Sequence, residues 1–140
     1  MQKDTTEIME ALNLSRDFQT FYQENQDAMI SGNLSQLLGA LLEQKGLKKS
    51  QVIRKAELFE IYGYQIFSGV RVPERKKLLS LAIGMELNIR EVQQLLKCAG
   101  YGQLYVKKPF DCIVLYGLCK KLSVVQINEL LYEYCLETLG

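Results

Sequence analysis

Histidine is absent from the 140 residues. That removes the commonest general base near neutral pH and the commonest metal ligand, and it denies any serine or cysteine nucleophile an imidazole partner. Cysteine is scarce and badly spaced for chemistry. Cys98, Cys112, Cys119 and Cys135 include no C-x-x-C pair, so the usual zinc spacings are missing. A metal site or redox switch is the functional reading of these four. The plainer one, small buried hydrophobes in a reducing compartment, is preferred, with Cys112 and Cys119 on one apolar helix face. No glycine-rich phosphate loop occurs, because Gly100-Tyr101-Gly102 is too short and closes a helix instead of opening one. Long apolar runs are missing too, and the start Met1-Gln2-Lys3-Asp4 has neither the basic nor the apolar region of a signal peptide. These absences lead to the expectation of a cytoplasmic protein that is not an enzyme and uses no cofactor or metal.

What is present suits a folded domain. Apolar residues make up 48% of the chain and charged ones 24%, enough for one sizeable core under a charged surface. The formal net charge of +1 conceals a segregated distribution. Residues 1–33 set Lys3 and Arg16 against six acidic side chains, whereas residues 48–77 set eight basic side chains against Glu57, Glu60 and Glu74. A further basic zone holds Lys97, Lys107, Lys108, Lys120 and Lys121, and the last nineteen residues are acidic again. A basic middle points to an anionic partner.

Apolar residues recur at helical spacing nearly throughout, predicting an all-α fold. Helices are expected at 5–12 and 15–29, with Thr5 or Thr6 and Ser15 as N-caps and a break at Ser31-Gly32-Asn33. The next, 34–44, carries a stripe of Leu34, Leu37, Leu38, Leu41 and Leu42 and ends near Gly46. Then come 48–56 and 59–68, separated by Glu57 and Leu58 alone; so short a connection forces a steep crossing. Pro73 is placed to start the next helix, 74–85, Asn88 to cap one ending at Gly100, and Pro109 to open one running to Leu118. Ser123 caps the last, which turns Val124, Ile127, Leu130, Leu131 and Tyr134 inward. The only strand candidate, Leu104-Tyr105-Val106, is short.

The order and spacing of Lys45-Gly46-Leu47, Ile66-Phe67-Ser68-Gly69, Pro73 and Asn88-Ile89 carry a resemblance. Residues 34–96 resemble the five-helix domain shared by phage lambda repressor, Cro and the XRE group of bacterial regulators. The tract 62–69 is similar to a subgroup of such proteins in Gram-positive bacteria. The resemblance implies a helix-turn-helix DNA-binding domain at 34–100; outside it lie an N-terminal helical extension (1–33) and a C-terminal helix pair (101–140) that, from its short connections, packs on the domain or else dimerises. It implies a cytoplasmic transcriptional regulator that binds double-stranded DNA as a homodimer and reads the major groove with helix 59–68. Matched residue by residue, Lys49, Phe59, Glu60, Ile61, Tyr64, Gln65, Ser68 and Arg71 face the groove. Lys49 and Arg71 suit phosphates, Gln65 an adenine edge and Ile61 a thymine methyl; Arg75, with Arg54, Lys55, Lys76 and Lys77, would grip the backbone.

Two features depart from the family in a physically interpretable way. The family packs a small residue of its second helix against a branched one of its third; here Ile53 and Gly63 exchange those sizes, roughly conserving volume. Glu57 stands where the family's turn usually has glycine, and a left-handed conformation there costs about 1 kcal/mol. A third departure bears on function. Helix 59–68 has no Lys or Arg, and Glu60 brings negative charge towards phosphates. A protein-interaction module, using Phe59, Ile61, Tyr62 and Tyr64 as an apolar contact face, is therefore the alternative.

Overall fold

The computed structural model describes residues 5–25 and 34–140, and every regular element among them is an α-helix. Two compact units divide the chain, Met1–Gly32 and Asn33–Gly140. Among the described residues no helix is long and apolar enough to cross a membrane.

The first unit holds α1 (Thr5–Leu14) and α2 (Phe18–Glu24). The expected 15–29 helix starts later than its periodicity suggests, because Asp17 and not Ser15 is the N-cap. The Asp17 carboxylate accepts from the Thr20 amide at 3.1 Å and the Thr20 hydroxyl at 2.7 Å. Ser15 instead donates to the Asp17 carbonyl. The hydroxyl and amide of Thr20 hold the Asp17 carboxyl below its ordinary value. Met29 and the Ser31-Gly32-Asn33 break lie outside the described residues.

The second unit contains α3 (Leu34–Lys45), α4 (Lys49–Lys55), α5 (Glu60–Ser68), α6 (Arg75–Gly84), α7 (Ile89–Cys98), α8 (Pro109–Lys120) and α9 (Val124–Glu133). All seven end alike. A residue in the left-handed region (Gly46, Glu57, Gly69, Glu86, Gly100, Lys121, Cys135) is followed by an apolar one whose amide donates back five residues. Leu58 to Ile53, Leu87 to Ala82 and Leu122 to Gly117 are examples, at 3.2, 3.1 and 2.9 Å. This closure satisfies the terminal carbonyls and usually tucks the apolar residue against its own helix. Leu47, Leu58, Leu87, Tyr101, Leu122 and Leu136 do join the core. Val70, after α5, does not, and is 77% exposed.

Asn88 and Ser123 cap α7 and α9 through reciprocal bonds with Glu91 and Gln126, as their sequences lead one to expect. Pro109 occupies the first turn of α8. Pro73 lies one residue earlier than anticipated, since Glu74 is the N-cap of α6. Leu104-Tyr105-Val106 forms no strand.

Close helix approach is built on glycine. A Cβ on Gly63 would fall 2.6 Å from Ile53 Cγ1, so the large residue sits on α4 and the gap on α5. Gly84 leaves room for the backbone of α4, its hypothetical Cβ falling 2.7 Å from the Val52 carbonyl oxygen. Gly117 of α8 likewise receives Ile127 of α9. Through such contacts α4 packs on α5 and α6, and α3 on α5 and α7; α8 then packs on α7, and α9 on α6. One core results, with Leu38, Leu78, Leu81, Leu95, Val114, Ile127 and Leu131 fully buried. Tyr134 departs from expectation and is exposed, because α9 has ended at Glu133. The cysteines correct the sequence reading as well. Cys112, Cys119 and Cys135 are exposed and Cys98 is half-buried, where burial raises its thiol pKa.

Candidate functional site

The outward face of α5 and the loop after it make up the candidate site. Phe59, the N-cap, is 87% exposed and Ile61 75%, and Tyr64 and Ser68 are exposed as well. Their partners in sequence, Gly63, Ile66 and Phe67, face the core, so helical periodicity alone sorts this element into two faces. Glu60 begins the helix, where unpaired amides and the positive end of the helix dipole stabilise a carboxylate. Its charge thus has a local structural reason.

Gln65 is the organising residue. Its carbonyl accepts from the amides of Val70 at 3.0 Å and Arg71 at 3.2 Å, and from the Ser68 hydroxyl at 3.1 Å. Gly69, at φ 85°, is what lets the chain double back to make those bonds. The turn brings Arg71 beside α5, where its Nε donates to Gln65 Oε1 at 3.1 Å. The guanidinium also lies over the Tyr62 ring, 5.6 Å from its centroid. Burial, followed by the nearby Glu74 carboxylate, raises the Tyr62 phenol pKa. Arg71 remains exposed, so it is a positioned cation and not a buried one. At the other edge Lys49, first residue of α4, holds its ammonium 5.9 Å from the Phe67 ring centroid.

Arg75 differs from its expected role. Its Nε donates to the Gly102 carbonyl at 3.0 Å, its two terminal nitrogens to the Asp111 carboxylate at 3.1 Å each, and one of them also to the Gln103 carbonyl at 3.4 Å. Asp111 is 2% exposed and accepts the Tyr105 amide as well. Arg75 therefore ties α6 to the 101–111 segment and has no fork left for a phosphate. Lys76 is paired with the exposed Glu137 and placed over the Phe110 ring. Lys55 reaches Glu86 at 3.8 Å, but both side chains are well exposed and such pairs contribute little. The basic surface expected around 48–77 thus shrinks to Lys48, Lys49, Arg54, Lys55 and Arg71 among the exposed residues.

Sequence reading places Gln65 and Arg71 on the site but not in contact. Helical spacing does not extend across Gly69, and the reversal that joins them is a property of the turn. Tyr62, as the platform under Arg71, is missed for the same reason.

Compared with protein-family models, with characterised proteins and with solved structures, the chain matches none.

Proposed function

We propose that residues 34–100 form a lambda repressor-like helix-turn-helix domain, that α4 and α5 are its reading unit, and that the protein is a sequence-specific bacterial transcriptional regulator without catalysis. The observation carrying this reading is the positioned cation at the end of an exposed helix. Arg71 is held by Gln65 and Tyr62 on one side of the α5 face, and Lys49 stands on the other. That disposition flanks a helix laid in a major groove with two cations, Lys49 towards a phosphate and Arg71 at the groove edge beside Gln65. Between them Phe59, Ile61, Tyr64, Gln65 and Ser68 present apolar and hydrogen-bonding surface for base edges.

A salt series tests it. Fluorescence anisotropy on the DNA upstream of the protein's own gene should show binding that outcompetes an unrelated duplex and weakens steeply with salt. The double variant Lys49→Ala, Arg71→Ala should lower the slope of log K against log salt by about 1 or more, near 0.9 for the lost Lys49 phosphate contact. An unchanged slope would remove the docking geometry.

Binding as a two-fold homodimer belongs to the same reading, with the exposed Tyr116, Tyr132 and Tyr134 of the C-terminal segment as available surface. Sedimentation reporting a monomer at every concentration, with and without DNA, would strike this part out.

A second reading is favoured by Val70 and Val72, 77% and 70% exposed in the loop after α5, together with Phe59 and Ile61 at its start. Large apolar side chains exposed at both ends of α5 suit a protein partner. Absent or indiscriminate DNA binding in the same experiment would select it.

A further inference from the structure

We infer that Gln65 and Arg71 act as one base-reading unit that prefers guanine, and that Arg71 sets the preference by fixing which end of the Gln65 amide faces outward. This rests on the reading that α5 enters a major groove.

A free glutamine presents both a carbonyl oxygen and an NH2 group, and that combination matches adenine, which offers an acceptor at N7 and a donor at N6. Gln65 is not free. Its Oε1 accepts from Arg71 Nε at 3.1 Å. The orientation is unambiguous, because a guanidinium has donors and no acceptor, so only the oxygen end of the amide can meet it. What the pair then presents outward is uniformly N–H: the Gln65 NH2 and the remaining guanidinium nitrogens of Arg71. In the major groove, guanine alone has two acceptors, N7 and O6, side by side.

Three further contacts make the arrangement an anchored one. The Tyr62 ring lies under the guanidinium. The Arg71 amide is bonded to the Gln65 carbonyl, so backbone and side chain of the two residues are joined independently. The Ser68 hydroxyl donates to that same carbonyl and braces the turn between them. A pair already ordered before binding has less conformational freedom to lose on reaching a base.

Selection of duplexes from a randomised library by the full chain tests the unit, followed by anisotropy on the selected site. The wild type should enrich one position for guanine, and replacing that G·C pair by A·T should weaken binding by about tenfold or more. Arg71→Ala frees Gln65 Oε1, so adenine should now equal or exceed guanine there, with the rest of the site unchanged. Arg71→Lys keeps the positive charge but cannot reproduce the planar fork; it should retain the salt dependence and still lose the preference for guanine. Arg71 is exposed, and unchanged melting temperatures would verify that each variant is folded. A selected site whose bases are the same for the wild type and both variants would overturn the unit and leave the DNA-binding reading standing. Failure of the wild type to enrich any sequence would overturn both.

Discussion

Glu57 carries a backbone cost that its neighbours explain. At φ 59° it occupies a region that L-residues enter at a penalty of about 1 kcal/mol or more, yet the turn between α4 and α5 requires it. Glu57→Gly should raise stability by about 0.5–1 kcal/mol, the relief of strain being partly offset by the greater freedom of glycine in the unfolded chain. Urea unfolding measures this, and a destabilised variant would mean that the Glu57 side chain has a favourable contact outweighing its strain. Gly63 is the opposite case. Its absent side chain is occupied by Ile53, so Gly63→Ala should cost about 1–3 kcal/mol through overpacking despite the better helix propensity of alanine. Adding Ile53→Val should recover part of the loss. If the double variant is no more stable than Gly63→Ala alone, the clash lies elsewhere. The large residue at 53 and the small one at 63 are legible in the sequence, and their geometry is that of an interlocked pair.

Between elements, polar contacts decide how the helices are joined. Glu91 closes the capping box of α7 and also meets Lys45 of α3 at 3.0 Å. Burial opposes its ionisation, but the Asn88 amide and Lys45 prevail and hold its carboxyl below the usual 4.5. A depressed carboxylate contributes stability that is present above the unfolded value and is lost as pH falls through the lower folded value. Wild type should therefore exceed Glu91→Gln in stability near neutral pH, and the gap should close in acid, below 4.5. A gap independent of pH would assign the effect to packing. The Arg75–Asp111 fork joins α6 to α8 at a much drier place. Asp111→Ala strands a guanidinium and the Tyr105 amide together, at an expected cost of about 3 kcal/mol or more in chemical unfolding. A loss under 1 kcal/mol would show that water replaces the carboxylate easily.

At the scale of the molecule, the C-terminal helix pair completes the core of the second unit. Val114, Ile127, Leu131 and Leu139 are buried in the same cluster as Leu78 and Leu95, and Arg75 and Lys76 spend their charges on the 101–140 segment. Residues 33–100 alone should consequently lack a sharp thermal transition by circular dichroism, whereas 33–140 should unfold cooperatively. A sharp transition in the shorter fragment would make the C-terminal pair an accessory. The same packing bears on the proposed DNA-binding face, for it takes Arg75 out of the basic surface and leaves Arg71 and Lys49 as the positioned cations.

Local physics was readable from the chain without its structure. Helical period, the caps at Asn88 and Ser123, Pro109 and the glycine stops all act within a turn or two, so each leaves its mark in adjacent residues. The two-faced character of α5 was legible for the same reason. Tertiary structure decided what depends on distant partners. Arg75 reads as a phosphate ligand until Asp111, thirty-six positions away, takes its fork. Exposure of Cys112 and Cys119 follows from where α8 meets α7 and α9, which apolar periodicity cannot distinguish from its opposite. The contact between Gln65 and Arg71 depends on a left-handed glycine between them, and only the folded turn sets that distance.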